Sequence, residues 1–153
     1  EEKEEKIIAA PVSGTAIPMG QVSDPTFSQE ILGKGTAVIP SDGRVVAPAD
    51  GLVTMVFDTK HAISMQTDNG AELIIHIGLD TVQLKGQYFE AHVAAGDKVK
   101  QGDLLLDFEI DKIKEAGYDV TTPVIICNTP QFPKMECRNG MEVKAGETAI
   151  IKL

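Results

Sequence analysis

Residues 57–82 read FDTKHAISMQTDNGAELIIHIGLDTV, two β-prone runs on either side of Asp68-Asn69-Gly70. Asn-Gly between such runs is a strong hairpin signal, because a type I′ turn needs positive φ at both central positions. If Asn69 and Gly70 alone form the loop, Asp68 pairs with Ala71, His76 falls opposite Ile63, and His61 falls opposite Gly78. Side chains alternate faces with period two, so His61 and His76 then become diagonal cross-strand neighbours with β-carbons within roughly 7–8 Å. Ile63, Met65 and Ile74 would share that face. A three-residue loop shifts the pairing by one and sends the two histidines to opposite faces. The chemistry of the hairpin therefore rests on its register.

Working outward, turn signals recur at short intervals: Pro11-Val12-Ser13-Gly14, Ser41-Asp42-Gly43, Pro48-Ala49-Asp50-Gly51, Gly96-Asp97, Gln101-Gly102-Asp103, Arg138-Asn139-Gly140 and Ala145-Gly146. Short apolar runs lie between them, among them Leu52–Phe57, Ala71–Ile77, Leu104–Phe108 and Val124–Cys127. Many short strands spaced this way indicate an all-β sandwich or barrel. Only two pieces look helical: Phe27–Leu32, stopped by Gly33, and Lys112–Ala116, preceded by Asp111 as N-cap and stopped by Gly117. Two internal echoes appear. Ala10-Pro11-Val12-Ser13-Gly14 resembles Ala47-Pro48-Ala49-Asp50-Gly51, and residues 96–103 align with 140–147 in Gly, Val, Lys, Gly and an acid. They are either a repeated supersecondary unit or two strand–turn–strand segments with ordinary turn chemistry.

The chain has 153 residues, enough for one domain with a real core, and its 42% apolar and 24% charged residues are ordinary globular composition. Residues 1–6, nearly all charged, are expected to form a disordered tail or linker, leaving 7–153 as a single domain. With 5% aromatics and no Trp, aliphatic side chains must fill that core. A net charge of −9 argues against a nucleic-acid or anionic-membrane partner and permits a basic protein partner. Cys127 and Cys137 form no CxxC or Cys/His cluster and read as reduced thiols. The charged opening is unlike a signal peptide, and no apolar stretch approaches the ~20 residues that span a bilayer. These features suggest a cytoplasmic protein, or a domain cut from a longer polypeptide at a solvated linker.

Two imidazoles rimmed by aliphatic side chains are partly desolvated, and their protonation moves easily across neutral pH. A neutral imidazole nitrogen attacks phosphorus well, and phosphohistidine passes its phosphoryl group onward. One histidine can attack while the other donates hydrogen bonds to the equatorial oxygens. The same residue types also occur as packed or surface histidines. That plainer reading is the one adopted for His92.

Thr59-Lys60-His61-Ala62, followed by His76-Ile77-Gly78-Leu79-Asp80-Thr81-Val82-Gln83-Leu84-Lys85-Gly86, resembles the active-site hairpin of the glucose-type IIA family of the bacterial phosphoenolpyruvate-dependent sugar phosphotransferase system. The likeness extends over nearly all of 7–153, through Asp24-Pro25-Thr26-Phe27, Leu32-Gly33-Lys34-Gly35, Ala47-Pro48-Ala49-Asp50-Gly51 and Thr122-Pro123-Val124-Ile125. It implies an all-β antiparallel sandwich (a barrel-sandwich hybrid) with one or two short helical turns. It further implies a phosphoryl relay from the histidine phosphocarrier protein HPr, through a histidine here, to a cysteine on the IIB domain of a sugar permease. By position, His76 would be phosphorylated, His61 would steady the phosphoryl group, and Thr59 would orient His61. Asp80 and Asp24 would meet an arginine of the phosphocarrier, with Phe27 and Phe57 on the apolar rim that docks partners. Lys34 departs from members with Asp between the two glycines, which alters charge near the docking face. The charged opening fits members whose IIA domain is tethered to the membrane through fused transport domains, without inserting itself.

Two other classes remain. No cofactor is required by the relay, but His61 and His76 could supply two ligands to a zinc ion shared with another molecule. A regulatory module, whose phosphorylation state controls transporters or enzymes, is the other.

Overall fold

The computed structural model describes residues 6–153, so residues 1–5 of the expected tail lie outside the described part. Lys6, the last residue of that tail, accepts a hydrogen bond on its carbonyl from the Leu153 N–H at 2.8 Å. Strands dominate the rest, as the turn punctuation indicates. In chain order they are β1 (Ile7–Ala9), β2 (Gly14–Pro18), β3 (Lys34–Pro40), β4 (Arg44–Val46), β5 (Gly51–Val56), β6 (Ala62–Thr67), β7 (Glu72–His76), β8 (Phe89–Ala91), β9 (Lys98–Val99), β10 (Leu104–Phe108), β11 (Thr122–Ile126), β12 (Glu136–Cys137), β13 (Glu142–Val143) and β14 (Ala149–Lys152).

All pairings are antiparallel. One eight-stranded sheet runs β13-β2-β3-β11-β7-β6-β5-β9, and two three-stranded sheets run β1-β14-β12 and β4-β10-β8. Between them lies an aliphatic core that includes Val53, Ile63, Met65, Leu73, Ile75, Leu105, Leu106 and Ile150, each at most 1% exposed. Burying each such large aliphatic side chain stabilises the fold by roughly 1.5–3 kcal/mol.

The internal echoes are a true structural repeat. The Ala9 N–H donates to the Pro48 carbonyl at 2.9 Å, and the Val46 N–H donates reciprocally to Pro11 at 2.8 Å. Gly102 N–H donates to Ala47 and Gly146 N–H to Ala10, at 2.9 and 2.8 Å. The side chain of Asp50 accepts from Gln101 N–H at 2.8 Å, and that of Ser13 from Ala145 N–H at 3.0 Å. Val99 pairs with Gly51 and Val143 with Gly14, so the two units end as the two edge strands, β9 and β13. Reciprocal bonds of this kind mark an approximate two-fold relation between the units.

Helices are short and differ from expectation at their ends. The first, α1 (Pro25–Ser28), has Asp24 as N-cap, its side chain accepting from Thr26 N–H at 2.9 Å. It stops before Leu32 because Glu30 turns left-handed, at φ 57°. The second, α2 (Ile110–Glu115), starts from Glu109 rather than Asp111. Three 3-10 turns, Met19–Gln21, Thr81–Leu84 and Thr129–Gln131, carry no signal that the sequence reading used. Met19, Val22 and Phe27 fold over Ala37, Leu79 and Ile125 as a second, smaller core on the outer face of the large sheet.

The two-residue loop expected at Asn69-Gly70 is not formed. Ala62 pairs with His76 and Gln66 with Glu72, and the Thr67 N–H donates to Ala71 across a three-residue loop of Asp68, Asn69 and Gly70. Gly70 takes the left-handed position at φ +97°, the usual closing residue of such a loop. The reason is tertiary. The Asn69 side chain accepts from the Thr67 hydroxyl and donates to the carbonyl of Ile7 at 3.2 Å, so the loop is shaped by β1. In this register Ile63 and Met65 point into the core, and only Ile74 shares the outer face with His76.

Candidate functional site

With that register, strict alternation would part the two histidines, yet their ring centroids lie 4.9 Å apart at an interplanar angle of 77°. His61 sits one residue before β6, at the end of the turn from β5. Lys60 closes this turn in the left-handed region (φ 58°), with its N–H on the Phe57 carbonyl at 2.7 Å. There the backbone has left the pleat, so period two no longer decides where the ring points. The hydroxyl of Thr59 holds the His61 ring by Nδ1.

His76 ends β7, and its Nδ1 lies 2.7 Å from the Gly78 carbonyl oxygen. A carbonyl only accepts, so the proton resides on Nδ1, and in the neutral ring the lone pair is on Nε2. Nε2 of either histidine has no hydrogen-bond partner among the described residues. The carbonyl is aimed by Gly78, at φ +80°, where a β-carbon would meet Thr81 Cγ2 at 2.5 Å and the Asp119 carbonyl oxygen at 2.9 Å. We expect Gly78→Ala to lose at least roughly 1–3 kcal/mol of stability from backbone strain alone, read by chemical denaturation, and to displace the His76 ring as well.

Four rings form a row, in the order Phe27, His76, His61, Phe57. Phe27 contacts His76 at 4.8 Å between centroids, and Phe57 contacts His61 edge-on at 5.3 Å. Phe27, expected on the docking rim, is only 5% exposed and belongs to the smaller core. Phe57 is half-buried. Ile31, Leu32 and Val82, close in sequence to Phe27 and Asp80, are exposed apolar side chains to which the sequence reading gave no docking role. Asp80 is exposed and left-handed (φ 59°), and makes no cap for the turn that follows it. His92, read as an ordinary surface or packed residue, is exposed and pairs through Nε2 with Asp107 at 2.8 Å.

Burial favours the neutral form of both rings. Burial pushes His76 below the ordinary histidine value, opposed by the Gly78 carbonyl and by the charges of Asp24 and Asp80. Burial and the neighbouring His76 lower His61 from 6.5 to about 4. A base whose folded value is depressed binds fewer protons folded than unfolded, so stability falls as pH drops below 6.5 toward 4. The His61→Gln variant should show a flatter stability profile across that interval, measured by urea titration at a series of pH values.

The pair can offer two nitrogens to a metal, but no group of three or more His, Cys, Asp or Glu residues that could hold one exists among the described residues. Zinc in four-coordination would need its remaining ligands from elsewhere. No helix among the described residues is long and apolar enough to cross a membrane.

The site thus sets two imidazoles side by side at an apolar margin of an all-β domain. Residues 6–132 match the family of the phosphoenolpyruvate-dependent sugar phosphotransferase system, EIIA 1, and the chain belongs to that family of phosphotransfer components of sugar transport. It is 47% identical over 150 residues to the glucose-specific EIIA component of Halalkalibacterium halodurans, covering 98% of this chain and 87% of the relative. It is 52% identical over 127 residues to the β-glucoside-specific EIIBCA component of Bacillus subtilis, covering 83% of this chain but only 21% of that longer protein. Among solved structures, glucose permease IIA from Mycoplasma capricolum superposes with a TM-score of 0.88 at 34% identity, covering 97% of this chain and 96% of the other.

Proposed function

We propose that the chain accepts a phosphoryl group from the histidine phosphocarrier protein HPr on Nε2 of His76 and passes it to a cysteine of a IIB domain during sugar uptake. The observation that carries this reading is the His76 Nδ1 contact with Gly78 O at 2.7 Å, which leaves Nε2 as the lone-pair nitrogen 4.9 Å, ring to ring, from His61. In the acceptor step the Nε2 lone pair forms the N–P bond as the bond from phosphorus to the donor's ring nitrogen breaks. The donor nitrogen keeps that electron pair. Transfer onward reverses the roles: a thiolate of the IIB domain attacks phosphorus, and Nε2 of His76 leaves with its pair.

His61 enters the reaction neutral. As the anionic phosphoryl group arrives, its charge raises the proton affinity of the ring beside it. In the tautomer in which Thr59 donates to Nδ1, His61 carries an Nε2–H that holds a phosphoryl oxygen, and a second proton makes that bond charge-assisted. Asp24 and Asp80 place negative charge around the site. That suits a cationic partner and raises the encounter rate without tight binding. The open apolar side chains Ile31, Leu32 and Val82 give such a partner its dry contact.

Phosphotransfer with the general phosphotransferase components and labelled phosphoenolpyruvate tests the reading. One acid-labile phosphate per chain, chased onto a IIB domain, is the expected result. A wild-type chain that takes up no label under these conditions refutes it. Intermolecular zinc at Nε2 of His76 and at Nε2 of His61, the latter ring with its proton on Nδ1, is the second use of the pair. Stoichiometric zinc binding by calorimetry in a chain inert to phosphotransfer would favour it over the relay.

A further inference from the structure

The peptide unit that joins Gly78 to Leu79 is held at both ends. Its C=O accepts from His76 Nδ1–H at 2.7 Å, and its N–H donates to the Asp119 carbonyl at 2.9 Å. The preceding units are tied as well, since the Ile77 carbonyl accepts from the Thr81 hydroxyl and the Ile77 N–H donates to the His61 carbonyl at 2.7 Å. Asp119 is itself fixed by a local turn, its Oδ1 accepting from the Thr121 N–H at 2.9 Å and the Thr121 hydroxyl at 2.7 Å. Thr81 is fully buried and Thr121 is 6% exposed, whereas Asp119 is exposed.

This double anchoring has a chemical consequence. Glycine populates both signs of φ with little penalty, so the 78–79 peptide could rotate if nothing held it. Rotated, it would present N–H instead of C=O to His76. Nδ1 would then have to carry the lone pair, and the proton would move to Nε2. A ring in that tautomer has no lone pair on the nitrogen that faces away from Gly78.

We propose that Asp119 and Thr81 are positioning residues for His76: Asp119, whose side-chain bonds to Thr121 set its main-chain carbonyl on the Leu79 N–H, and Thr81, whose hydroxyl holds the Ile77 carbonyl, fix the peptides on either side of Gly78, hold the Gly78 carbonyl on Nδ1 and so select Nε2 as the reactive nitrogen. The inference rests on the reading of His76 as the phosphoryl acceptor for its functional meaning. Its structural content stands apart from that reading, because ring tautomers are observable without any phosphate.

The test is nitrogen NMR of the His76 imidazole in the full chain at mildly alkaline pH, beside phosphorylation rates, for wild type, Asp119→Ala, Asp119→Asn, Thr81→Val and Thr81→Ser. Wild type should show the Nδ1–H tautomer. Thr81→Val removes the hydroxyl on the Ile77 carbonyl, and Asp119→Ala removes the bonds to Thr121 that set the 119 carbonyl; both should move population toward Nε2–H and slow phosphorylation, Thr81→Val about five- to tenfold, the equivalent of one hydrogen bond. Asn at 119 and Ser at 81 retain an acceptor and a hydroxyl, and should restore the wild-type tautomer. If buried Thr81→Val fails to fold, the exposed Asp119→Ala variant still decides. A wild-type-like tautomer in Asp119→Ala, however slow its phosphorylation, overturns the proposal, as does an Nε2–H ring in the wild-type chain. A tautomer shift in variants of a chain that takes up no label upholds the clamp and removes the phosphocarrier reading instead.

Discussion

The His76→Ala chain is expected to take up no label from phosphoenolpyruvate through the general phosphotransferase components, against one phosphate per chain for wild type. The loss should be complete rather than partial, because the variant lacks the nitrogen that forms the bond to phosphorus, and the neighbouring imidazole is poorly placed to substitute. His61 is 6% exposed and held by Thr59 at Nδ1, so its ring cannot swing out to meet a donor without breaking that bond and leaving Phe57. Removing the His76 ring also empties the space between Phe27 and His61. Some destabilisation, roughly 1–3 kcal/mol, is expected from a half-buried side chain of this size. Circular dichroism and a denaturation midpoint on the same sample separate loss of chemistry from loss of fold. Label that survives in a folded His76→Ala chain shows that another residue is the acceptor.

His61→Gln is the second large effect, and it should divide the two half-reactions. Label uptake persists, since His76 keeps its Gly78 partner and its Nε2 lone pair. Delivery to the IIB domain should slow by roughly 10²–10³-fold, the usual consequence of losing one donor aimed at developing charge. Glutamine can donate a hydrogen bond but cannot gain a proton as the phosphoryl group becomes more anionic, and it gives Thr59 no ring nitrogen to hold. Rapid-quench measurement of each half-reaction resolves the split. Equal slowing of uptake and delivery would show His61 to be needed for the nucleophile itself rather than for the phosphoryl oxygens.

How much of this was readable from the chain differs from element to element. The all-β architecture followed from turn residues, since each Pro, Gly, Asn and Asp cluster punctuates two strands, and the repeat at 96–103 and 140–147 became two matching edge strands. The register of the central hairpin did not follow. Asn69-Gly70 favours a two-residue loop locally, but a hydrogen bond from Asn69 to Ile7, 62 positions away, selects the three-residue form. Local pattern cannot contain that bond. His61 and His76 nevertheless converge, by a route that alternation does not describe, through a left-handed Lys60 and a hydroxyl two residues before the ring.

The support around the site was legible only in part. Thr59 was marked by its likeness to a family motif, and the structure gives the physical reason in its bond to His61. Asp119 carried no signal and Thr81 only its place in the family motif, because what matters is a backbone carbonyl and a buried hydroxyl brought beside Gly78 by the fold. Phe27 illustrates the converse. An aromatic residue beside an N-cap can serve equally as rim or as core, and only the packing of Met19, Val22 and Ile125 around it places it in the core.

Phosphorus–nitrogen correlation NMR on the nitrogen-labelled, phosphorylated chain tests the central claim most directly, because it names both the residue and the atom bonded to phosphorus. The account predicts a single coupling, to Nε2 of His76, with Nδ1 still protonated and bonded to Gly78. Phosphorus bonded to His61, or to Nδ1 of His76, would contradict it.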